Sequence, residues 1–481
     1  MKTYLAFDLG ASSGRAILGG IDAGKLVLRE VHRFPNNGRI SGGALRWDIN
    51  GIVAELKKGI VKACADCAPV SMGIDTWGVD YALFDRRSRE LAEEPYTYRD
   101  DRTAAIRPEV FAKISKDELY RRTGIQDMAF NTVFQLAAHR KSDPELLERT
   151  TFLHMPDALG FLLGGTFDTE YTDASTSGLL DARKRDWDFE ITDRLGLPRE
   201  LFPKIVPPGS SGGRLSAAVA RELGVPQIAF VKVGSHDTAS AVAAVPDVTG
   251  REFAFMSCGT WALLGAEIGE PCLSGKALEE AFSNEGGLNR TIRFLSNIMG
   301  CWLIQECRRF WQAEGKDYSF PELAAFAREC EALRFLVDAK SEAFLAPGDM
   351  PGRIAEAAKL PSGAKPETVG EIMRCIYDSL ALSVRNELRR LERVRGVSYP
   401  ALHIVGGGTQ DTLLMQLVSD ACGIPVYAGP VEATAIGNLL VQMIASGEVP
   451  DLAAARKLVA ASFELKKFSP DGKMARLYGR M

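Results

Sequence analysis

The sequence predicts an α/β protein made of two related domains, because two kinds of element recur in the same order along an alternating pattern of strands and helices. Residues 4–15 and 253–265 each look like two short apolar strands around a turn of Gly and hydroxyl side chains. Residues 234–238 and 408–412 share the order Gly, hydroxyl residue, His or Gln, Asp, Thr. This order predicts a duplicated domain with an active-site cleft between the copies.

The length of the chain supports the duplication. A chain of 481 residues is too long for one hydrophobic core and suits two large domains or three of ordinary size. We expect the domains to be residues 1–246 and 247–481, joined by a linker that runs from Pro246 to Gly250.

Composition narrows the class of protein. A net charge of −4, spread without runs, disfavours nucleic acid as a partner because a phosphate backbone needs a basic surface. No apolar run is long enough to span a membrane, and Asp8 and Gly10 interrupt the first apolar stretch, so we expect neither a membrane partner nor a signal peptide. Nine scattered cysteines predict reduced thiols in the cytoplasm. Cys64 and Cys67 lack the second pair of ligands that a zinc site needs.

Periodicity and turn residues place the remaining elements. Apolar residues at helical spacing predict helices, and short apolar runs between turn residues predict strands. Residues 100–225 are mostly polar and helical, with Pro and Gly breaks at 207–213. The other predicted elements are helices at 49–67 and 371–395 and strands at 70–74, 81–84, 228–233 and 402–405.

The sequences of the predicted turns and loops exclude several kinds of active site. Small, hydroxyl-bearing turns direct backbone N–H groups one way, which suits phosphate, although a plain β-hairpin turn favours the same residues. The sequence contains neither a P-loop motif nor a Gly-rich dinucleotide motif, and the H-E-x-x-H zinc motif is also absent. Ser235, His236 and Asp237 are consecutive, so they cannot align as a hydrolytic triad.

Several longer motifs are more specific than these turns. They are residues 7–15, 73–80 (Gly-Ile-Asp-Thr-Trp-Gly-Val-Asp), 235–242, 258–261, 284–287, 297–300 with Trp302 and Gln305, 403–408 and 420–426. On these residues the chain resembles the FGGY carbohydrate kinases, which belong to the larger group of actin-like ATPases. The resemblance implies duplicated ribonuclease H-like domains, an N-terminal one for the sugar and a C-terminal one for the nucleotide.

The resemblance also implies the reaction, which is ATP-dependent phosphorylation of a sugar hydroxyl with Mg²⁺ as the metal. Its first expected acceptor is the 1-hydroxyl of L-rhamnulose, with L-fuculose or D-xylulose as alternatives. An actin- or chaperone-type ATPase and a catalytically silent sugar sensor are the other classes that we considered. We expect a monomer or a small homo-oligomer.

Two aspartates carry the main roles that the resemblance implies. Asp237 is the expected base for the attacking hydroxyl, and the alternative is that it only caps the following helix. Asp8 is the expected Mg²⁺ residue, acting through water, and the alternative is a role in turn formation.

Other residues are implied as ligand contacts. The expected sugar contacts are Thr76, Trp77, Gly78, His236, Asp237, Thr238 and Asn297. The expected ATP contacts are Ala11, Ser12, Ser13, Gly14, Arg15, Thr260, Gln305, Gly407 and Gly408. Trp77 is either an aromatic wall for the sugar or a core residue. Asp411 stands where the family pattern has Asn, which bears on adenine recognition.

Overall fold

The computed structural model describes residues 1–246 and 253–481. The described residues form two compact units. The first unit contains residues 1–246, 267–294 and 433–462, and the second contains 253–266, 295–432 and 463–481. All of the expected linker after Pro246 lies outside the described residues, so the division at 246 stays a prediction.

The strands occur in two groups along the chain. Those before residue 247 are β1 (Tyr4–Leu9), β2 (Ser13–Asp22), β3 (Lys25–Pro35), β4 (Arg39–Ser41), β5 (Ala44–Arg46), β6 (Ser71–Thr76), β7 (Tyr81–Asp85), β8 (Thr150–His154), β9 (Thr169–Glu170), β10 (Leu180–Asp181), β11 (Asp186–Trp187), β12 (Ile205–Val206), β13 (Ser211–Arg214) and β14 (Ala229–Val231). Those after residue 252 are β15 (Ala254–Cys258), β16 (Trp261–Ile268), β17 (Ser283–Gly286), β18 (Ile292–Met299), β19 (Leu402–Val405), β20 (Val426–Ala428) and β21 (Lys466–Phe468).

The α-helices fall into the same two groups. The first group is α1 (Ile49–Ala63), α2 (Arg107–Lys113), α3 (Lys116–Thr123), α4 (Thr132–Ser142), α5 (Pro144–Arg149), α6 (Met155–Leu162), α7 (Tyr171–Ala174), α8 (Phe189–Leu195), α9 (Ala217–Leu223) and α10 (Asp237–Ala243). The second group is α11 (Gly275–Glu279), α12 (Trp302–Ala313), α13 (Phe320–Arg328), α14 (Met350–Ala357), α15 (Val369–Arg395), α16 (Thr412–Cys422), α17 (Ala433–Ala445), α18 (Leu452–Ser462) and α19 (Gly472–Tyr478).

The two large sheets share one topology. The first has six strands in the order β13-β14-β6-β1-β2-β3, and the second has seven in the order β17-β18-β16-β15-β19-β20-β21. In each sheet the hairpin strand, β1 or β15, pairs antiparallel with its successor and parallel with a later strand, β6 or β19. The duplicated α/β architecture predicted from the repeats is therefore confirmed.

Several predicted boundaries need correction. Helix α1 ends at Ala63 rather than 67, because Cys64 caps it and the chain turns ahead of Pro69. The Pro and Gly breaks at 207–213 include a real strand, β13, which pairs antiparallel with β14. The long helix and the strand at 402–405 lie where they were predicted, α15 starting at Val369.

The core of the first unit lies between its large sheet and helices α1 and α6. Phe7 of β1, Leu56 and Ile60 of α1, and Leu159 of α6 are fully buried in one apolar cluster. All nine cysteines are free thiols, as expected. Among the described residues, no helix is both long and apolar enough to cross a lipid bilayer.

Helices α10 and α17 of the first unit approach each other through a glycine. A Cβ atom added at Gly437 would lie 1.7 Å from the backbone oxygen of Ser240, so any side chain there forces the two helices apart. Gly160 of α6 is a matched contrast, because nothing lies within 4 Å of its added Cβ.

We expect Gly437→Ala to lower the free energy of unfolding by at least about 1–3 kcal/mol, the usual cost of overpacking. Gly160→Ala should change it by no more than about 1 kcal/mol, since alanine is the better helix former. Urea unfolding followed by circular dichroism measures both. Equal stability of the two variants would contradict the close approach of α10 and α17.

Candidate active site

Two aspartates face each other at the carboxyl ends of neighbouring parallel strands in the first unit. Asp8 of β1 pairs in register with Asp75 of β6. Asp75 is fully buried, and its Oδ2 accepts a 2.6 Å hydrogen bond from Nδ2 of Asn438. Burial first, and then the charge of Asp8, raise the pKa of Asp75 well above its usual range. Arg15 forms an ion pair with Asp8.

A chain of buried amides holds Asn438 toward Asp75. Nε2 of Gln442, one turn later on α17, donates to Oδ1 of Asn438 at 2.7 Å and to the Leu5 oxygen at 3.0 Å. Oε1 of Gln442 accepts from the Ser71 hydroxyl at 2.8 Å. Because each amide has a fixed donor or acceptor, the Asn438 NH₂ group can only point at the carboxylate.

The loop before α10 is held by Glu170. One oxygen of this fully buried carboxylate, Oε2, accepts from Ser235 N at 3.0 Å, and Oε1 accepts from Thr172 N at 2.9 Å. The Thr172 hydroxyl accepts from His236 N at 3.2 Å, and the Ser235 oxygen accepts from Thr76 N at 2.9 Å. Burial, the largest influence, raises the pKa of Glu170 to about 7.

Asp237 is the first residue of α10, and its carboxylate is one-third exposed. The N-cap position belongs to His236, whose side chain makes no capping hydrogen bond, so Asp237 is not the N-cap of this helix. Its Oδ1 accepts from the Thr238 hydroxyl at 3.1 Å and lies 3.3 Å from Nε2 of His236.

Gly78 borders the same region. A Cβ atom at this position would lie 3.1 Å from the Thr176 hydroxyl and 3.4 Å from Nε2 of His236. The missing side chain therefore leaves room beside the imidazole, which suits close approach by a ligand.

Trp77 is a buried residue in this structure. Its ring lies 4.2 Å from that of Trp47, and both indole N–H groups donate to Oδ2 of Asp80, at 2.9 and 2.7 Å. Burial, the largest influence, raises the pKa of Asp80 to about 6 against these donors. The placement favours the core interpretation of Trp77, and its role as a wall for the sugar stays a prediction.

The first of the two hydroxyl-bearing turns lies between β1 and β2. Asn36 holds it, donating through Nδ2 to the Gly10 oxygen at 2.8 Å and through its backbone N–H to the Ser12 oxygen at 3.0 Å. Gly14 has a packing reason as well, since an added Cβ would lie 2.3 Å from the ring of Phe34. The predicted nucleotide contacts of this turn are Ala11 and Ser12 in the turn and Ser13, Gly14 and Arg15 at the start of β2.

The second unit contains the other predicted nucleotide residues. The Thr260 hydroxyl donates to Oε1 of Gln305 at 3.0 Å. In the glycine run after β19, an added Cβ would collide with Cys258 at Gly406 and Gly408 but would meet nothing within 4 Å at Gly407. Packing therefore accounts for Gly406 and Gly408, whereas Gly407 borders open space.

Two further residues of the second unit were singled out by sequence. Asp411 caps α16 by accepting from Leu414 N at 3.1 Å, and it accepts a 2.5 Å hydrogen bond from the Tyr377 hydroxyl. The Asp411 carboxylate therefore accepts its hydrogen bonds from groups of the protein itself. Asn297 lies on β18 as an exposed residue between buried neighbours.

Of the predicted site residues, the first unit thus brings together Asp8, Arg15, Thr76, Gly78, His236, Asp237 and Thr238. They lie at the end of β1, at the start of β2, at the end of β6 and in the loop after it, and at the start of α10 with the loop before it. Sequence reasoning missed Glu170, Arg293 and Asn438 as supporting residues, and it quoted Asp75 and Glu285 in motifs without giving them a role. The i, i+4 spacing of Asn438 and Gln442 in an apolar helix is the one signal that would have indicated a buried polar chain.

The comparisons with known proteins agree over almost the whole chain. Residues 3–244 match the N-terminal domain, and 254–446 the C-terminal domain, of the FGGY family of carbohydrate kinases. A rhamnulokinase of Bacteroides thetaiotaomicron is 41% identical over 98% of this chain and 96% of its own length. A rhamnulokinase of Oceanobacillus iheyensis is 41% identical over 97% of this chain and 98% of its own length.

Solved structures show the same fold. A ligand-bound xylulose kinase from Lactobacillus acidophilus has a TM-score of 0.82 at 15% identity and covers 100% of this chain and 96% of its own. The glycerol kinase of Plasmodium falciparum with ADP has a TM-score of 0.79 at 17% identity, with the same coverage of both chains.

The raised pKa of Glu170 predicts a pH-dependent stability. A buried acid with a raised pKa stabilises the folded state while it is protonated, and this stability is lost as the pH rises from about 4.5 through about 7. Between pH 5 and 8, the free energy of unfolding of the wild type should fall by roughly 2–3 kcal/mol more than that of Glu170→Gln. Urea unfolding at both pH values measures the difference.

The exposed Glu222→Gln is the matched control and should keep the pH dependence of the wild type. Parallel pH profiles for the wild type and Glu170→Gln would show that Glu170 does not hold a proton in this range.

Proposed function

The chain belongs to the FGGY family of carbohydrate kinases and is an ATP-dependent sugar kinase, and we propose that its acceptor is the 1-hydroxyl of L-rhamnulose. The proposal is supported by the two relatives named rhamnulokinase, which are 41% identical to this chain over nearly all of its length. The products are L-rhamnulose 1-phosphate and ADP.

The observation that carries the mechanism is the placement of Asp237. Its carboxylate is one-third exposed and is not used as a helix cap, and Nε2 of His236 lies close both to this carboxylate and to the position of an added Cβ at Gly78. A hydroxyl that attacks a phosphoryl group must lose its proton, and a carboxylate within about 3 Å of that oxygen accepts it. We therefore assign the general base to Asp237.

His236, Thr238, Thr76 and Gly78 are proposed to position the sugar. Backbone hydrogen bonds hold the His236 loop to Thr172 and Thr76 on both sides, so the loop is rigid before the sugar binds. A site that is rigid beforehand loses less entropy on binding and keeps the reacting hydroxyl aligned. Asn297 and Trp77 are proposed as further sugar contacts.

Mg²⁺ is proposed to bind at Asp8. The donors suit a hard cation, because Asp8 and Asp75 are carboxylates in register at one strand end. Within the described ranges, no group of three or more His, Cys, Asp or Glu side chains could hold a metal ion. Bound Mg²⁺ would neutralise charge on the phosphates, and Asp8 would hold the ion through its waters.

The nucleotide contacts are proposed for the two hairpin turns and the glycine run. Arg15 and the Ala11–Ser13 turn of the first unit suit phosphate oxygens, since a small turn directs N–H and hydroxyl groups one way. Thr260 and Gln305 are proposed partners in the second unit, where Gly407 and Gly408 would lie under the adenosine.

We expect Asp237→Asn to lower kcat by about 10²–10⁴-fold, because an amide cannot accept the proton that a general base removes. The Kd for ATP should change less than about threefold, since Asp237 acts on the acceptor. Coupled kinase kinetics and calorimetric titration of ATP measure the two effects. The exposed Asp193→Asn is the control for loss of one carboxylate, and near-normal turnover of Asp237→Asn would overturn its assignment as base.

The substrate is tested with a panel of L-rhamnulose, L-fuculose, D-xylulose and glycerol, each with ATP and Mg²⁺. L-rhamnulose should give the highest kcat/KM, since its remote hydroxyls supply the binding energy that positions the reacting one. Glycerol should be poor for the same reason. Carbon-13 NMR of the product identifies the phosphorylated carbon. Another sugar that exceeds L-rhamnulose tenfold in kcat/KM would contradict the proposal.

A further inference from the structure

We propose that Arg293 fixes the neutral imidazole of His236 with its proton on Nε2, so that His236 acts only as a hydrogen-bond donor toward Asp237 and the sugar. Arg293 and Glu285 are then positioning residues for the reaction. The consequence for the sugar rests on the proposed function; the state of the imidazole does not.

The first observation is a buried guanidinium against the imidazole. Arg293 is fully buried, and its Nη2 lies 3.1 Å from Nδ1 of His236. Its Nε donates to the Gly286 oxygen at 2.8 Å, which fixes the plane of the group. A guanidinium has donors only, so Nδ1 must accept, and the proton of the neutral ring must be on Nε2.

Glu285 would favour the opposite tautomer of His236, because its Oε2 lies 3.2 Å from Nδ1 and would accept a hydrogen bond from a proton on that nitrogen. The geometry favours Arg293. Oε2 of Glu285 accepts no well-directed hydrogen bond from any residue that the structure describes, whereas Nη2 of Arg293 does bond Nδ1. Glu285 therefore serves as the counter-charge, with Oε2 3.1 Å from Nη1 of Arg293.

The Glu285 carboxylate stays ionised although it is buried. Burial, the largest single influence, raises the pKa of its carboxyl, but the opposing influences, of which the charge of Arg293 is the largest, outweigh burial and lower the pKa. Without Glu285, the buried guanidinium would be an uncompensated charge, which is costly. The pair thus keeps a donor behind the imidazole at neutral pH.

The other nitrogen of the ring faces the proposed acceptor site. Nε2 lies 3.3 Å from Oδ1 of Asp237 and 3.4 Å from the position of an added Cβ at Gly78. An Nε2–H group there donates either to the base, which orients its carboxylate, or to an oxygen of the sugar. The sugar oxygen at this point must then be an acceptor.

The ring state is read directly by long-range ¹⁵N–¹H NMR on protein labelled at its five histidines, without sugar or nucleotide, with His236 assigned by its loss in His236→Gln. We expect Nδ1 to be the unprotonated nitrogen. Glu285→Gln should keep this pattern because Arg293 remains, whereas Arg293→Gln should lose it. The partly exposed Arg122→Gln, which breaks a bidentate pair with Asp188, controls for loss of an arginine.

Kinetics supply the second test, and they do not depend on whether Arg293 variants fold. The Gln amide NH₂ lies near the position of Nε2, and the Asn amide NH₂ near that of Nδ1, so His236→Gln restores the proposed donor and His236→Asn does not. The kcat/KM of His236→Gln should exceed that of His236→Asn by about tenfold or more. If Arg293→Gln folds, it should lose a similar factor in kcat/KM.

A protonated Nδ1 in the wild-type spectrum would overturn the proposal, and so would equal kcat/KM for the Gln and Asn variants at 236. These outcomes are separate from the choice of sugar. If another ketose is the substrate, the NMR result stands; if L-rhamnulose is confirmed and Nδ1 carries the proton, only this inference fails.

Discussion

The site of the first unit depends on the parallel pairing of β1 with β6, which sets Asp8 level with Asp75 at the same strand end. Two carboxylates so close together repel each other, and taking one of them out of water adds to the cost. A hydrogen bond and an ion pair from the surrounding residues offset that cost. Asn438 donates to Asp75, and Arg15 pairs with Asp8, so Asp8 keeps a charge partner while the fully buried Asp75 is held by an amide.

Two other parts of the site, the Ser235 backbone and the His236 ring, are also held by buried ionisable side chains. Glu170 is buried to hold the backbone of Ser235, and Arg293 is buried to hold the ring of His236. In each case an ionisable side chain is used for its hydrogen-bonding geometry and takes no direct part in the chemistry. Asp237 and Asp8, to which we assign the base and the metal, are more exposed than Glu170 and Arg293.

The fold could be predicted from the sequence because its signals are local. Hairpin turns, strand-to-helix loops and helical periodicity each lie within a few residues, and the repeat of their order gave the duplication. The predicted residues Gly78, His236, Asp237 and Thr238 lie around the same loops because the loops follow adjacent strands. Gly14 and Gly408 were predicted as nucleotide contacts, with a turn as the alternative, but their packing could not be foreseen: Phe34 and Cys258 leave no room for a side chain there.

The supporting residues could not be predicted, because their partners are far apart along the chain. Asn438 reaches Asp75 across 363 residues, and Arg293 reaches His236 across 57. No local pattern distinguishes a buried arginine that holds an imidazole from one in a surface ion pair. The placement of Trp77 was open for the same reason, since its partner Trp47 comes from the connection between β5 and α1.

The place of α17 in the first unit has a consequence for the order of synthesis. This helix lies in the last 50 residues of the chain, yet it packs Gly437 against Ser240 and supplies the only amide that bonds Asp75 in the described part of the molecule. On the ribosome, the strands that contain Asp8 and Asp75 emerge several hundred residues before their covering helix. The nascent first unit therefore keeps an uncovered apolar sheet face while the chain grows by the 363 residues from Asp75 to Asn438, which is the condition under which chaperones bind.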